Sequence, residues 1–349
     1  MAGPRSSAGR AGATASRSLE SLSLAVAVVA AIGCALVALP VFRLASAPIA
    51  GEGSVAQYAA IASAAVAALS FLAGRVFVRV PGTRWGVRDA VDLAALAFAV
   101  AVIALLTWTL VGVILDRGFI GAEVFALATL VLSGAAGALT GYVAFAVATH
   151  LDLELLAVVL AVFLVLGILA SMLTASDPDW WKDNLSALGI NDDLSSKTFN
   201  LTLIVAGVIV TTLARFASRG IVTPHPRGVA GVRTCLVVVG IFLGLVGVFP
   251  VNEFFALHTA VASGMVVAFG VLIFRVHRWV PGMARPFVWL GFAFLGWIVL
   301  LAVLFVVGVY TLTAVELVAG VLVFTWIILF IRNVAAVRAD TRADAAPPR

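Results

Sequence analysis

Charge is what this sequence has least of. Asp, Glu, Lys and Arg make up 11% of its 349 residues, against roughly a quarter in an ordinary soluble domain. With 63% hydrophobic residues, no water-soluble globule could cover the apolar surface, so the surrounding solvent has to be mostly lipid. Lysine is nearly missing, confined to Lys182 and Lys197. In a chain rich in Ala and Arg this suggests a GC-rich bacterial genome, an inference from composition alone. The two cysteines, Cys34 and Cys235, fall in separate apolar runs, which argues against a disulfide or thiolate-metal site and for small packing residues. No Gly-rich phosphate cradle, haem motif or EF-hand occurs, so no cofactor is expected.

What is there in quantity is the long apolar run. Barrel strands alternate apolar and polar residues over about ten positions, whereas runs such as 153–173 and 287–309 are continuous. Only helices and closed barrels can cross a bilayer, so this pattern predicts an all-α polytopic bundle. Ten spans are expected, over 20–42, 55–78, 90–115, 121–148, 153–174, 198–217, 230–250, 254–275, 286–309 and 313–332. Residues 1–18 and 336–349 read as disordered cytoplasmic tails. Between them lie a four-helix module, 19–150, and a six-helix domain, 151–335. A secretory leader is the rival reading of the first run, but the run exceeds the usual apolar length and Pro48 would follow the cut at Ala45-Ser46-Ala47, so an uncleaved helix is preferred.

The net charge of +5 does not call for a nucleic acid, because the cations alternate between loops. With the N-terminus inside, 18 of the 22 Lys and Arg residues fall on the cytoplasmic side and only Arg43, Arg117, Lys182 and Lys197 outside. That asymmetry predicts cytoplasmic termini and a multipass protein of the inner (plasma) membrane. Small residues four apart, Gly137 and Gly141, Gly240 and Gly244, and Ala260, Gly264 and Ala268, let helix backbones approach closely. They serve ordinary bundle packing or a homo-oligomer.

One loop, 175–198, is crowded with polar residues and is expected outside. Trp180 and Trp181 suit the headgroup level. Asp183 or Asn184 would cap a short interfacial helix ended by Gly189, and Ser195 or Ser196 would cap the following helix. His258 enters the eighth helix from the same side, and an ionisable group inside a span is a candidate for function. Against it stands a neutral imidazole satisfied by a neighbouring carbonyl or hydroxyl. Asn200 lies one turn into the sixth helix, and Glu123 and Glu316 near the outer ends of the fourth and tenth. Asp183, Asn184, Ser186, Asn200, Glu253 and His258 are therefore the candidate ligand-binding residues.

The stretch Asn184-Leu185-Ser186-Ala187-Leu188-Gly189, followed by Phe199-Asn200, resembles the N-x-L-S-D-L-G signature of the membrane family called domain of unknown function 998. Gly247-Val248-Phe249-Pro250 with His258 on the next helix fits the same pattern. Ala187 stands where that signature commonly has Asp. The resemblance spans about 153–335, and the family is similar in layout to FRAG/DRAM/Sfk-like membrane proteins. It implies that the loop motif and His258 belong to one shared feature, and a role in envelope lipid organisation.

Three function classes follow. A protein that binds a membrane lipid headgroup at the outer leaflet without turnover leads. A secondary transporter would carry ionisable groups and broken helices at the midplane, where these helix centres are apolar. An intramembrane hydrolase using Ser186, His258 and a carboxylate has the right residue types but no strand-turn-helix nucleophile elbow. A zinc hydrolase would need about three ligands on one side. Of His150, His225, His258 and His277, only His258 is expected outside, so no metal site is expected.

Overall fold

The computed structural model describes residues 5–79, 86–220 and 226–344; His225 lies outside the described residues. Among these, ten helices are long and apolar enough to cross a membrane. They are α1 (Arg5–Phe42), α2 (Val55–Phe77), α3 (Val87–Gly118), α4 (Ala126–Thr149), α5 (Leu153–Thr174), α6 (Leu194–Gly220), α7 (Pro226–Val248), α8 (Phe255–Trp279), α9 (Arg285–Val306) and α10 (Leu312–Asp344). Two 3-10 turns, Trp180–Lys182 and Leu185–Gly189, lie between α5 and α6. The strands are β1 (Ala47–Pro48) and β2 (Glu123–Val124), paired antiparallel with Ala47 opposite Val124.

The helix ends depart from the hydropathy runs where local chemistry overrides them. α1 and α10 reach into the segments read as disordered tails, although the stretches apolar enough to span are Ser18–Phe42 and Leu312–Ala336. Ala and Arg favour helix intrinsically, so the coil need not begin where apolarity stops. α4 starts at Ala126, five residues after the apolar run, because Gly121 takes φ +70° and the next residues pair as β2. α6 starts four residues before its run, for a capping reason given below.

The chain divides into two compact units, Met1–Leu151 and Asp152–Arg349. In the first, α4 packs on α1 and α2, and α2 on α3. The contact of α4 with α1 depends on Gly134, Gly137 and Gly141. A Cβ at Gly137 would lie 2.9 Å from the Ala30 carbonyl oxygen and collide with Cys34. Cys34 is thus a buried free thiol filling a helix interface. Some polar groups inside this unit are satisfied across helices, while Ser63 Oγ and Ser133 Oγ are buried without a hydrogen-bond partner among the described residues. The Tyr58 hydroxyl donates to the Cys34 carbonyl at 2.6 Å, and Trp108 Nε1 donates to Thr140 Oγ1 at 2.9 Å.

In the second unit α6 is the central helix, packed by α5, α7, α10 and the second 3-10 turn. Two thirds of its spanning stretch (67%) is buried, against 22–39% in the other nine helices. Its closest neighbour is α7. A Cβ on Gly207 would run into the Gly240 carbonyl oxygen and lie 2.7 Å from the Gly244 nitrogen. The small residues of the α7 stripe therefore face α6 within the chain, as Gly264 of α8 faces Phe242 of α7. Such close approach replaces the hydrophobic drive that lipid removes. The far side of the unit is held by aromatics. Trp326 is fully buried, stacks on Phe330 at 5.4 Å and 12°, and meets Phe269 edge-on at 5.5 Å. Large apolar side chains that no protein covers, among them Leu169, Val267, Trp289 and Val321, are the surface expected to face acyl chains.

Replacing Gly207 by Leu should overpack the α6–α7 contact at a cost of about 1–3 kcal/mol. Scanning fluorimetry of the detergent-purified protein should show a melting temperature lower by roughly 2–10 °C. Gly320→Leu on α10, where a Cβ would meet nothing within 4 Å, should leave it unchanged.

Candidate functional site

The 3-10 turn Leu185–Gly189 is tied down from below by α6. Ser195 Oγ donates to the Leu188 carbonyl at 3.3 Å, while Ser196 Oγ and Asn200 Nδ2 both donate to the Gly189 carbonyl, at 3.1 and 3.0 Å. Buried Ser171 on α5 donates to the Ser195 carbonyl at 3.0 Å. These bonds supply acceptor satisfaction that buried carbonyls require. They also explain Gly189: a Cβ there would lie 2.6 Å from Asn200 Oδ1 and 3.0 Å from the Phe199 ring. Ala187, Leu188 and Gly189 are buried, so the turn is packed into the helix end.

Neither Ser195 nor Ser196 caps α6, contrary to the expectation from sequence. Asp193 does so, its Oδ1 accepting from the Ser196 N–H at 2.8 Å. Its other oxygen accepts from Ser176 Oγ at 2.6 Å and the Ser176 N–H at 3.1 Å. The helix starts early because this carboxylate takes one of the orphan N–H groups of its first turn, that of Ser196. Asp193 also clips the two ends of the loop together. Partial burial pushes its carboxyl up, but the hydrogen bonds from the Ser176 side chain and from the Ser196 and Ser176 N–H groups outweigh that and hold it below the usual carboxylate range.

His258 stands in the first turn of α8, beyond the tight α7–α8 connection where the Phe254 N–H bonds the Pro250 carbonyl at 3.0 Å. Only 6% of the residue is exposed. Its Nδ1 lies 2.7 Å from the Phe249 carbonyl oxygen and its Nε2 lies 3.1 Å from Ser186 Oγ. A carbonyl can only accept, so Nδ1 carries a proton. In the neutral ring Nε2 is then the acceptor and the Ser186 hydroxyl donates to it. The fourth wall is α10, where Glu316 Oε2 accepts the Leu185 N–H at 2.6 Å.

The candidates thus separate. Ser186 and His258 are directly bonded. Asn184 adjoins them in the chain, and its Oδ1 is buried without a hydrogen-bond partner among the described residues. Asn200 is close by, but its amide holds the Gly189 carbonyl. Asp183 and Glu253 are exposed at the rim. Asn184 heads the turn with no side-chain capping bond. Two carboxylates that hold the loop, Asp193 and Glu316, are not among the candidates named from the sequence. Asp193 was legible as the Asp preceding an apolar helix, in competition with two adjacent serines. Glu316 was legible only as an acid near a helix end, 131 residues from its partner Leu185. Glu123 belongs to the first unit and accepts from Ser46 Oγ at 2.6 Å. Among the described residues, no group of three or more His, Cys, Asp and Glu side chains is placed to hold a metal ion.

A carboxyl held low stabilises the folded loop fully above its ordinary value of 3.8, and that contribution fades as pH falls through the lower folded-state value. Hydrogen exchange of peptides covering 175–198 should therefore show protection that is flat above about pH 5 and lost in more acid solution. In Asp193→Asn the protection should be weaker at neutral pH and its acid-dependent part should disappear.

No curated protein and no solved structure matches the chain. A family model does match, over residues 155–333, slightly more than half of the chain and including every residue of the site just described. The chain is a multipass membrane protein that belongs to the family described as protein of unknown function (DUF998).

Proposed function

We propose that the cluster of Asn184, Ser186, His258 and Glu316 binds the polar headgroup of an envelope lipid at the outer leaflet of the plasma membrane. The observation that carries this reading is the convergence of polar groups from the loop, α8 and α10 at one end of a bundle whose flanks are apolar. It includes a buried acceptor, Asn184 Oδ1, with no partner of its own among the described residues. Buried polar atoms are normally satisfied, and an exception calls for a ligand, water or strain.

The donor and acceptor inventory narrows the headgroup. Asn184 Oδ1 and the Glu316 carboxylate accept, and the rim adds exposed Asp183 and Glu253. Nearby cations are engaged: Lys182 pairs with Asp179 at 3.0 Å and Lys197 with Asp192 at 3.1 Å. Acceptors and negative charge favour a headgroup rich in donors, such as an ammonium or sugar hydroxyls, over a bare phosphate. Transport is the weaker reading, because the ionisable groups of the second unit's helices stand within about two turns of helix ends rather than at the midplane.

The test is lipid retention. Full-length protein extracted in mild detergent should carry a bound lipid detectable by native mass spectrometry. Asn184→Ala and His258→Ala should each weaken retention about tenfold, the loss of roughly one buried hydrogen bond. Equal retention by folded variants would sink the reading. Sidedness is tested separately with Lys182→Cys, which should react with a membrane-impermeant maleimide on intact cells. Reaction only after lysis would place the loop in the cytoplasm.

A further inference from the structure

We propose that Ser186 is a covalent nucleophile, with His258 as its general base, acting on the acyl ester of a lipid. The ester-lipid class rests on the headgroup reading above; the nucleophile itself does not. A serine hydroxyl attacks a carbonyl only when a base removes its proton, and that base must be held in the tautomer that leaves its facing nitrogen free. Here Nε2 faces Ser186 Oγ at 3.1 Å, within reach for proton transfer. The opposite nitrogen is fixed at 2.7 Å by the Phe249 carbonyl. A main-chain oxygen thus fills the orienting place that a carboxylate holds in the Ser-His-Asp arrangement.

Three observations favour this over a structural bond. Ser186 is spared the capping role that would explain a serine in this loop. Asn184 heads the 3-10 turn, whose Ala187 N–H bonds the Asn184 carbonyl at 3.1 Å, and Asp193 caps α6. Burial also separates the two partners as a nucleophile and base require, His258 being buried and Ser186 only half-buried. Finally, the buried carboxamide oxygen of Asn184, two residues upstream, has no partner among the described residues. A half-turn of that amide on acyl transfer would exchange this acceptor for N–H donors of the kind that stabilise an oxyanion.

The chemistry balances with water as the only co-reactant. The Ser186 Oγ bonds to the ester carbonyl carbon while its proton passes to His258 Nε2. The bond from that carbon to the alcohol oxygen then breaks, and the alcohol leaves with the proton. Water adds to the acyl-serine and gives a proton to His258. The fatty acid departs as the Ser186 oxygen recovers that proton.

The test uses an alkyl fluorophosphonate, whose phosphorus is attacked by an activated serine with loss of fluoride. On the monodisperse full-length protein in nanodiscs, peptide mass spectrometry should find one phosphonyl adduct, on Ser186. Its rate of formation should drop by at least about 100-fold in His258→Gln, as expected for loss of a general base, and Ser186→Ala should not be labelled. Asn184→Ala, which leaves the dyad in place, should label more slowly than wild type and faster than His258→Gln. Absence of an adduct on folded wild-type protein, an adduct on another residue, or equal labelling of folded His258→Gln would overturn the proposal. Should His258→Gln not fold, the wild-type adduct and its site decide alone. Retained lipid with no adduct would leave binding intact and remove the nucleophile. An adduct on Ser186 with lipid retention indifferent to His258 would leave the nucleophile and remove the headgroup reading.

Discussion

Everything in the second unit hangs on how closely α6 and α7 approach. Gly207 lies against Gly240 and Gly244 with no room for a Cβ on the first two, and that contact makes α6 the most buried span of the chain. Van der Waals contact between backbones has to supply in lipid what hydrophobic burial supplies in water. The functional consequence is positional. The loop with Asn184 and Ser186 sits on the start of α6, and the Phe249 carbonyl and His258 sit at the end of α7 and the start of α8. Gly247, which would otherwise press on the Asn200 carbonyl, carries the same close contact up to the level of the site. The distance from Ser186 to His258 is therefore inherited from a glycine contact several turns away.

The polar cluster is also an answer to a backbone problem. Turns at the end of a lipid-embedded bundle expose carbonyls where few partners exist. Ser195, Ser196 and Asn200 take the carbonyls of Leu188 and Gly189, His258 takes that of Phe249, and Glu316 takes the Leu185 N–H. These assignments divide the motif residues into two groups. Asn200 and the two α6 serines are consumed by structure. Among the described residues the side chains of Ser186 and Asn184 serve no main-chain partner, and these are the groups on which the proposed binding and chemistry would draw.

The first unit uses the same small-residue packing without the polar outcome. Gly134, Gly137 and Gly141 admit α1 as Gly240 admits α6; of its polar side chains, Tyr58 ends on the Cys34 carbonyl and Trp108 on Thr140, while Ser63 Oγ and Ser133 Oγ have no partner among the described residues. It also lies outside the residues matched by the family model.

The sequence by itself determined the ten spans and the all-α class, because hydropathy is a sum over consecutive residues and bilayer thickness sets its length. It also pointed to 184–189 and His258 as polar groups that lipid makes costly. It misjudged the α6 cap, since Asp193, Ser195 and Ser196 are all good capping residues within one turn and only the path of the chain decides which meets the free N–H groups. The tertiary structure alone decided that His258 finds Ser186 and the Phe249 carbonyl, that Glu316 reaches the loop from the last helix, and that Asp183 and Glu253 stay at the rim. Those outcomes depend on helix rotation and neighbour choice, which glycine contacts between distant segments settle and no local pattern of residues encodes.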